Sequence, residues 1–205
     1  MDREHFLAKK NQEITFKRIS ELHNTLDSAF LKEYQRSVPF NEVFVDRWER
    51  AKKLGFGEKT SIYDSSLVLG DVLVGKNCWI GPFTILDGSG RLIIGDFCTI
   101  SSGVQIYTHD NVLQTLSAQK LPIERESVII GNNVYIGPNS VIKKGVKIGD
   151  QCVIAVGTFV NSDFSSNSIL AGTPARKIGE GIFNGDEINF DYSVKEGLNL
   201  LLLLS

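Results

Sequence analysis

The chain has 205 residues and a formal net charge of −2, with 42% hydrophobic and 22% charged residues. That composition allows a packed core and excludes a wholly disordered chain. It leaves no strongly basic field to hold nucleic acid. Nineteen Gly against five Pro call for tight turns or a repeat rather than a flexible linker.

The start, M-D-R-E-H-F-L-A-K-K, lacks the apolar stretch of a signal peptide. No apolar run reaches the roughly 20 residues that span a bilayer. The five Leu at 200–204 read as a tail packing on its own domain or on a partner. Cys78, Cys98 and Cys152 show no C-x-x-C spacing, so neither a disulfide framework nor a Cys-based zinc site is expected. The expected compartment is a reducing cytoplasm.

Residues 1–60 read as a helical segment. Phe6, Ile14, Ile19, Leu22, Leu26 and Phe30 follow three-to-four spacing with charges between them, which predicts one or two amphipathic helices. His5 and His23 fall there and read as solvated or interface residues. Ser37-Val38-Pro39 interrupts the pattern. A further helix is predicted from Asn41 to Gly55, with Val45, Trp48 and Leu54 on its apolar side.

A six-residue period begins at Ile62. It runs through Val68, Val74, Ile80 and Leu86, slips by two residues, and resumes at Ile94, Ile100 and Ile106. It returns at Ile130, Ile136, Ile142, Ile148, Ile154 and Val160. Even at the full hydrophobic fraction, chance gives this series about 5 times in a million, so the repeat is real. Four residues after the anchors sit small or β-branched residues, among them the three Cys, which reads as packing. Gly75, Gly81, Gly95, Gly131, Gly137 and Gly149 directly follow anchors. Such a unit fits neither a helix nor plain alternation, but it fits a short strand plus a corner. Three units make one triangular coil, and coils stack about 4.8 Å apart by strand pairing.

Two interruptions carry information. Asp87-Gly88-Ser89-Gly90 is a turn-rich slip. Residues 111–127 form an excursion, read as one further rung at Val112 and then a loop of the kind that often contacts substrate. His109, the only His in the repeat, stands at its mouth in I-Y-T-H-D-N. Imidazole suits proton abstraction at neutral pH. Asp110 beside it would raise its basicity or fix its tautomer, provided a bend brings the two together. From spacing alone, a general base and a surface His on a turn remain equal readings. After Lys177 the period is lost, and residues 178–205 read as a short irregular tail.

Units such as I-G-D-F-C-T, I-G-N-N-V-Y and I-G-D-Q-C-V, over residues 62–177, resemble the hexapeptide-repeat acyltransferases. The resemblance implies a mainly β fold. Residues 61–177 would form a left-handed parallel β-helix, with N-terminal α-helices before it and the short tail after it. T-H-D resembles the branch acting on sugars and nucleotide-linked sugars, which implies His109 as general base. L-A-G-T-P-A-R-K-I resembles the family's closing motif, implying Arg176, with Lys177, against coenzyme A phosphates. Tyr135, Gly137, Pro138, Ala155, Val156 and Gly157 match the late-coil groove for the pantetheine arm, where small residues admit a ligand close to the backbone. Asp87, Tyr107, Asn111 and Lys120 lie on the interruptions and are expected to contact the acceptor. Phe83 falls where the galactoside branch carries a polar Asn, which points away from a galactoside acceptor.

These readings converge on an acetyl-CoA-dependent O-acetyltransferase, with no metal required. Its acceptor would be a sugar or nucleotide-linked sugar of surface polysaccharide biosynthesis, and a backbone N–H at a coil corner would stabilise the oxyanion. The expected assembly is a homotrimer with sites between subunits, with no nucleic-acid partner and no membrane span. The alternatives are an N-acetyltransferase on an amino-sugar nucleotide and a non-enzymatic β-helix assembly module. A β-helix carbonic anhydrase would need three His on zinc, which the repeat does not offer.

Overall fold

A computed structural model describes residues 10–185 and 187–192. His5 and the Leu run at 200–204 lie outside the described residues. The chain forms two compact units, Met1–Asp46 and Arg47–Ser205.

In the first unit a single helix, α1, spans Lys10–Tyr34. Glu13 in its first turn and Lys32 in its last complement the helix dipole. The chain leaves the helix at Gln35, which adopts a positive φ of 52°. Pro39 then precedes α2, Phe40–Phe44. His23 stacks on Phe40 at 4.9 Å with Phe44 at 6.2 Å, so it belongs to an aromatic cluster and is not a solvated residue.

The helix predicted over residues 41–55 is broken. Val45 is extended (φ −97°, ψ 117°), and a separate helix, α3, runs over Arg47–Lys53. Trp48 and Leu54 are exposed, and Ala51 and Phe56 are the residues that enter the core. Arg50 anchors α3 by donating to the Ser66 carbonyl (2.8 Å) and the Tyr63 carbonyl and by pairing with Asp64. The second unit therefore begins with a cap on the first coil.

The coils follow the hexad arithmetic. On one face Ser61–Ile62, Trp79–Ile80, Thr99–Ile100, Tyr135–Ile136 and Val153–Ile154 stack in parallel register. On the second, residues 67–68 and 85–86 stack with Gln105–Ile106, Val141–Ile142 and Phe159–Val160. On the third, residues 72–74 and 92–94 stack with Val128–Ile130 and Lys147–Ile148. This is a left-handed parallel β-helix. Its Ile and Leu anchors fill the axis, nearly all fully buried. Burial of one such side chain contributes about 1.5–3 kcal/mol. Cys78, Cys98 and Cys152 are buried inward residues before first-face strands.

The Asp87–Gly90 slip does not break its strand. Ile85–Ile94 is continuous, and its pairing with Leu67–Val74 shifts register between Gly70 and Val72. The two extra residues bulge at the corner between the second and third faces, as a bulge must when one strand carries more residues than its partner. Val112 is not a rung. It opens a short helix, α4, Val112–Leu116, and is 54% exposed. The next rung after Ile106 is Val128–Ile130, which pairs with residues 92–94.

The C-terminal segment is ordered where the period stops. Ser168–Ala171 extends the first face. Arg176–Asn184 runs back antiparallel to it, and Glu187–Asp191 pairs with that strand in turn. Ala155, Ile169, Ala171 and Ile178 form a small second core there, with Val153 and Tyr192 packed against it. The hexad pattern is silent about this hairpin because its strands turn back antiparallel instead of coiling onward.

Candidate active site

The second-to-third-face corner carries the candidate base. Leu86 pairs with Ile106 on adjacent coils, which sets the Asp87 corner against residues 107–109. Asp87 Oδ2 lies 2.7 Å from His109 Nδ1. It also accepts the Thr108 backbone N–H at 2.8 Å, while Oδ1 accepts the Ser89 amide (3.0 Å) and hydroxyl (2.5 Å). Burial alone would raise the Asp87 pKa. The hydrogen bonds from Ser89, Thr108 and His109 outweigh it and hold the carboxyl well below the usual carboxylate range. An ionised Asp87 can only accept, so Nδ1 carries a proton, and in the neutral imidazole it is Nε2 that presents the lone pair. The carboxylate side chain is 1% exposed and the imidazole 36%, so the dyad is anchored at one end and open at the other.

Asp110 is not the carboxylate on His109. It is the next residue of a short strand, His109–Asp110, and successive side chains point to opposite faces. Its Oδ1 accepts the Val112 amide at 3.1 Å and its Oδ2 pairs with Lys144 at 3.5 Å. Asp87 likewise is not an exposed acceptor contact, because it is buried beneath the imidazole. His109–Asp110 pairs antiparallel with Glu124–Arg125, and the excursion is the loop of that hairpin. Asn111 precedes α4 without a side-chain cap and is exposed, as is Lys120 on the returning limb. Tyr107 donates its hydroxyl to Gln105 Oε1 at 2.8 Å.

The residues matched to the coenzyme groove occupy a different corner, between the first and second faces. Tyr135 points outward from the first face and is exposed, as is Val156 at the corner. Ala155 is withdrawn. Its side chain packs in the C-terminal core, its amide donates to the Leu170 carbonyl, and its carbonyl accepts from Ser140 and Thr158. Gly137 lacks a Cβ for stacking reasons, since one would come 2.7 Å from the Val156 nitrogen. The Gly137 amide donates to the Ile154 carbonyl, and the Gly157 amide to that of Pro138. Gly157 differs from Gly137: its φ is +66° and the space above it is open. Arg176 is exposed and donates to the Ala175 carbonyl at 2.8 Å, whereas Lys177 already pairs with Glu180.

Among the described residues no group of three His, Cys, Asp or Glu is arranged to hold a metal, and no helix is long and apolar enough to cross a membrane. Sequence reading missed Ser89, Thr108, Glu124, Glu126 and Lys144. The available signal was coil arithmetic: Leu86 and Ile142 both stack on Ile106, so Asp87 after the first meets Thr108 and His109, and Lys144 after the second meets Asp110, Glu124 and Glu126.

Residues 127–162 match the bacterial transferase hexapeptide (six repeats) family. The chain is 32% identical over 124 residues to the carnitine operon protein CaiE of Escherichia coli (strain K12 / DH10B), covering 57% of this chain and 63% of that protein. It is 33% identical over 129 residues to the galactoside O-acetyltransferase of Escherichia coli (strain K12), covering 52% of this chain and 63% of that protein. The chain thus spans a little under two thirds of the length of these curated relatives. Among solved structures it resembles a hexapeptide-repeat-containing acetyltransferase from Vibrio cholerae, with a TM-score of 0.59 and 26% identity over 80% of this chain and 92% of the other.

Proposed function

We propose that this chain, which carries the hexapeptide repeat of the bacterial transferases, is an acetyl-CoA-dependent O-acetyltransferase. Its acceptor is a sugar or nucleotide-linked sugar of surface polysaccharide biosynthesis, modified in the cytoplasm. The observation that carries the reading is the Asp87–His109 pair, with Nδ1 held at 2.7 Å and the ring open to solvent. The acetyltransferases among its relatives support the same chemistry.

In this mechanism His109 Nε2 takes the proton from the acceptor hydroxyl as its oxygen attacks the thioester carbonyl. The C–S bond breaks, and the imidazolium returns the proton to the leaving thiolate. Asp87 stays ionised, fixes the tautomer and stabilises the imidazolium while it exists. Arg176 serves the coenzyme phosphates from the other corner. Tyr135, Pro138, Val156 and Gly157 border the pantetheine path. In this reading Tyr107, Asn111 and Lys120 contact the acceptor.

The test is one experiment. Acetyl-CoA at millimolar concentration should raise the melting temperature, and nucleotide sugars should then elicit thiol release. His109→Ala should keep the melting shift and lose at least about 100-fold in thiol release. No shift with acetyl-CoA would sink the proposal. Survival of transfer in His109→Ala with an amine acceptor would overturn the base assignment and favour N-acetylation.

A further inference from the structure

The proposed chemistry does not use the most heavily paired cation of the site region. Lys144 stands two residues after Ile142, which stacks directly on Ile106. Its Nζ lies 2.6 Å from Glu126 Oε1, 3.3 Å from Glu124 Oε2 and 3.5 Å from Asp110 Oδ2, with the side chain only 7% exposed. Glu126 foremost, with Glu124 and Asp110, holds the ammonium pKa well above its ordinary range despite the opposing effect of desolvation. The three carboxylates come from both limbs of the hairpin that carries His109.

We propose that Lys144 is a positioning residue for His109, clamping both limbs of its hairpin onto the following coil. The proposal rests on the acetyltransferase reading for its kinetic consequences but not for its structural one.

The physical need is clear from the hairpin itself. Its strands, His109–Asp110 and Glu124–Arg125, are two residues each, too short to hold together unaided. The loop between them adds closure entropy that a two-residue pairing does not offset. Three carboxylates on adjoining limbs also repel one another unless a cation lies among them. The neighbouring Gly145 keeps the geometry open, because a Cβ there would come 2.6 Å from Glu126 Oε2. His109 is thus gripped from both sides along the axis. Asp87 holds the imidazole from the preceding coil, and Lys144 holds the backbone limbs from the following one.

The test compares Lys144→Met, Lys144→Arg and Glu126→Gln. Amide hydrogen exchange is read first, at Glu126, whose N–H donates to the Thr108 carbonyl at 2.9 Å. Lys144→Met should expose this amide and speed its exchange at least about tenfold. It should lower kcat/KM for the acceptor about tenfold or more while moving the KM for acetyl-CoA less than about twofold. Lys144→Arg should restore most of the protection. Glu126→Gln, which keeps the lysine and all backbone, should reproduce the exchange effect in smaller measure and decides the matter if Lys144→Met does not fold. Unchanged exchange at Glu126 in either variant overturns the clamp, as does an equal loss in the acetyl-CoA and acceptor parameters. If the wild-type chain transfers to no acceptor, the acetyltransferase reading fails, and the exchange result alone judges the clamp.

Discussion

At the scale of the residue, Asp87 does the most with the fewest atoms. Its two oxygens accept from Ser89, Thr108 and His109, and every bond requires an acceptor. Asp87→Asn replaces one oxygen with an NH2 group that must face another donor. An unsatisfied buried donor costs about 1–3 kcal/mol. We expect Asp87→Asn to lower the melting temperature and to cut thiol release about 100-fold. The pH dependence has a definite sign. The folded-state pKa lies below the unfolded value, so Asp87 contributes its stability above about pH 4, and this is lost as pH falls toward its folded pKa. Urea titrations of both proteins should show their stability gap narrowing as the pH is lowered below about 4; a constant gap would mean that the charge on Asp87 is irrelevant.

At the scale of the element, the corners set what the prism tolerates. Gly90 sits in the bulge, where a Cβ would come 2.5 Å from the Thr108 carbonyl, so the close approach of bulge and hairpin requires glycine. Phe83 is the opposite case. It holds a left-handed φ of 60° at a corner while 62% exposed. The equivalent corner positions one, two and three coils later are Gly103, Asn139 and Gly157, residues that accept this conformation readily. Holding a bulky residue there costs about 1–2 kcal/mol. Phe83→Asn should therefore raise the melting temperature, corresponding to about 1 kcal/mol of added stability. A loss of stability would show that the exposed ring makes contacts in the assembled protein that outweigh the strain.

The repeat was legible because each hexad is short and repeats its chemistry. Ile80, Ile100, Ile136 and Ile154 all sit fully buried where the six-residue step puts them. The irregular parts were legible only as irregular. The slip at Asp87 reads as a turn in one dimension and is a bulge in a continuous strand. Val112 fits the period and yet lies outside the prism, because α4 and the hairpin satisfy the backbone there in another way. The C-terminal hairpin was invisible to the period altogether.

At the scale of the whole molecule, one feature governs how the proposed enzyme works. The candidate base lies at the corner between the second and third faces, and the residues matched to the coenzyme lie at the corner between the first and second. We propose that a thioester held along the one corner meets the base on the corner of a neighbouring subunit, in a homotrimer with shared sites. Subunit mixing checks this. His109→Ala and Val156→Arg should each be inactive alone, and co-refolding equal amounts should restore about a quarter of wild-type activity. No recovery in mixed oligomers would place base and coenzyme on the same chain.

The sequence by itself determined the coil, its period, its inward ladder and the one histidine that stands at a break in it. These are properties of neighbours along the chain, and the hydrophobic pattern records them directly. Tertiary structure alone decided which carboxylate meets His109, which cation clamps its hairpin and which matched residues remain accessible. Adjacent residues on a strand diverge to opposite faces, while residues a full coil apart are brought into contact. Asp110, next to His109 in sequence, therefore turns to Lys144, and Asp87, a coil away, holds the imidazole.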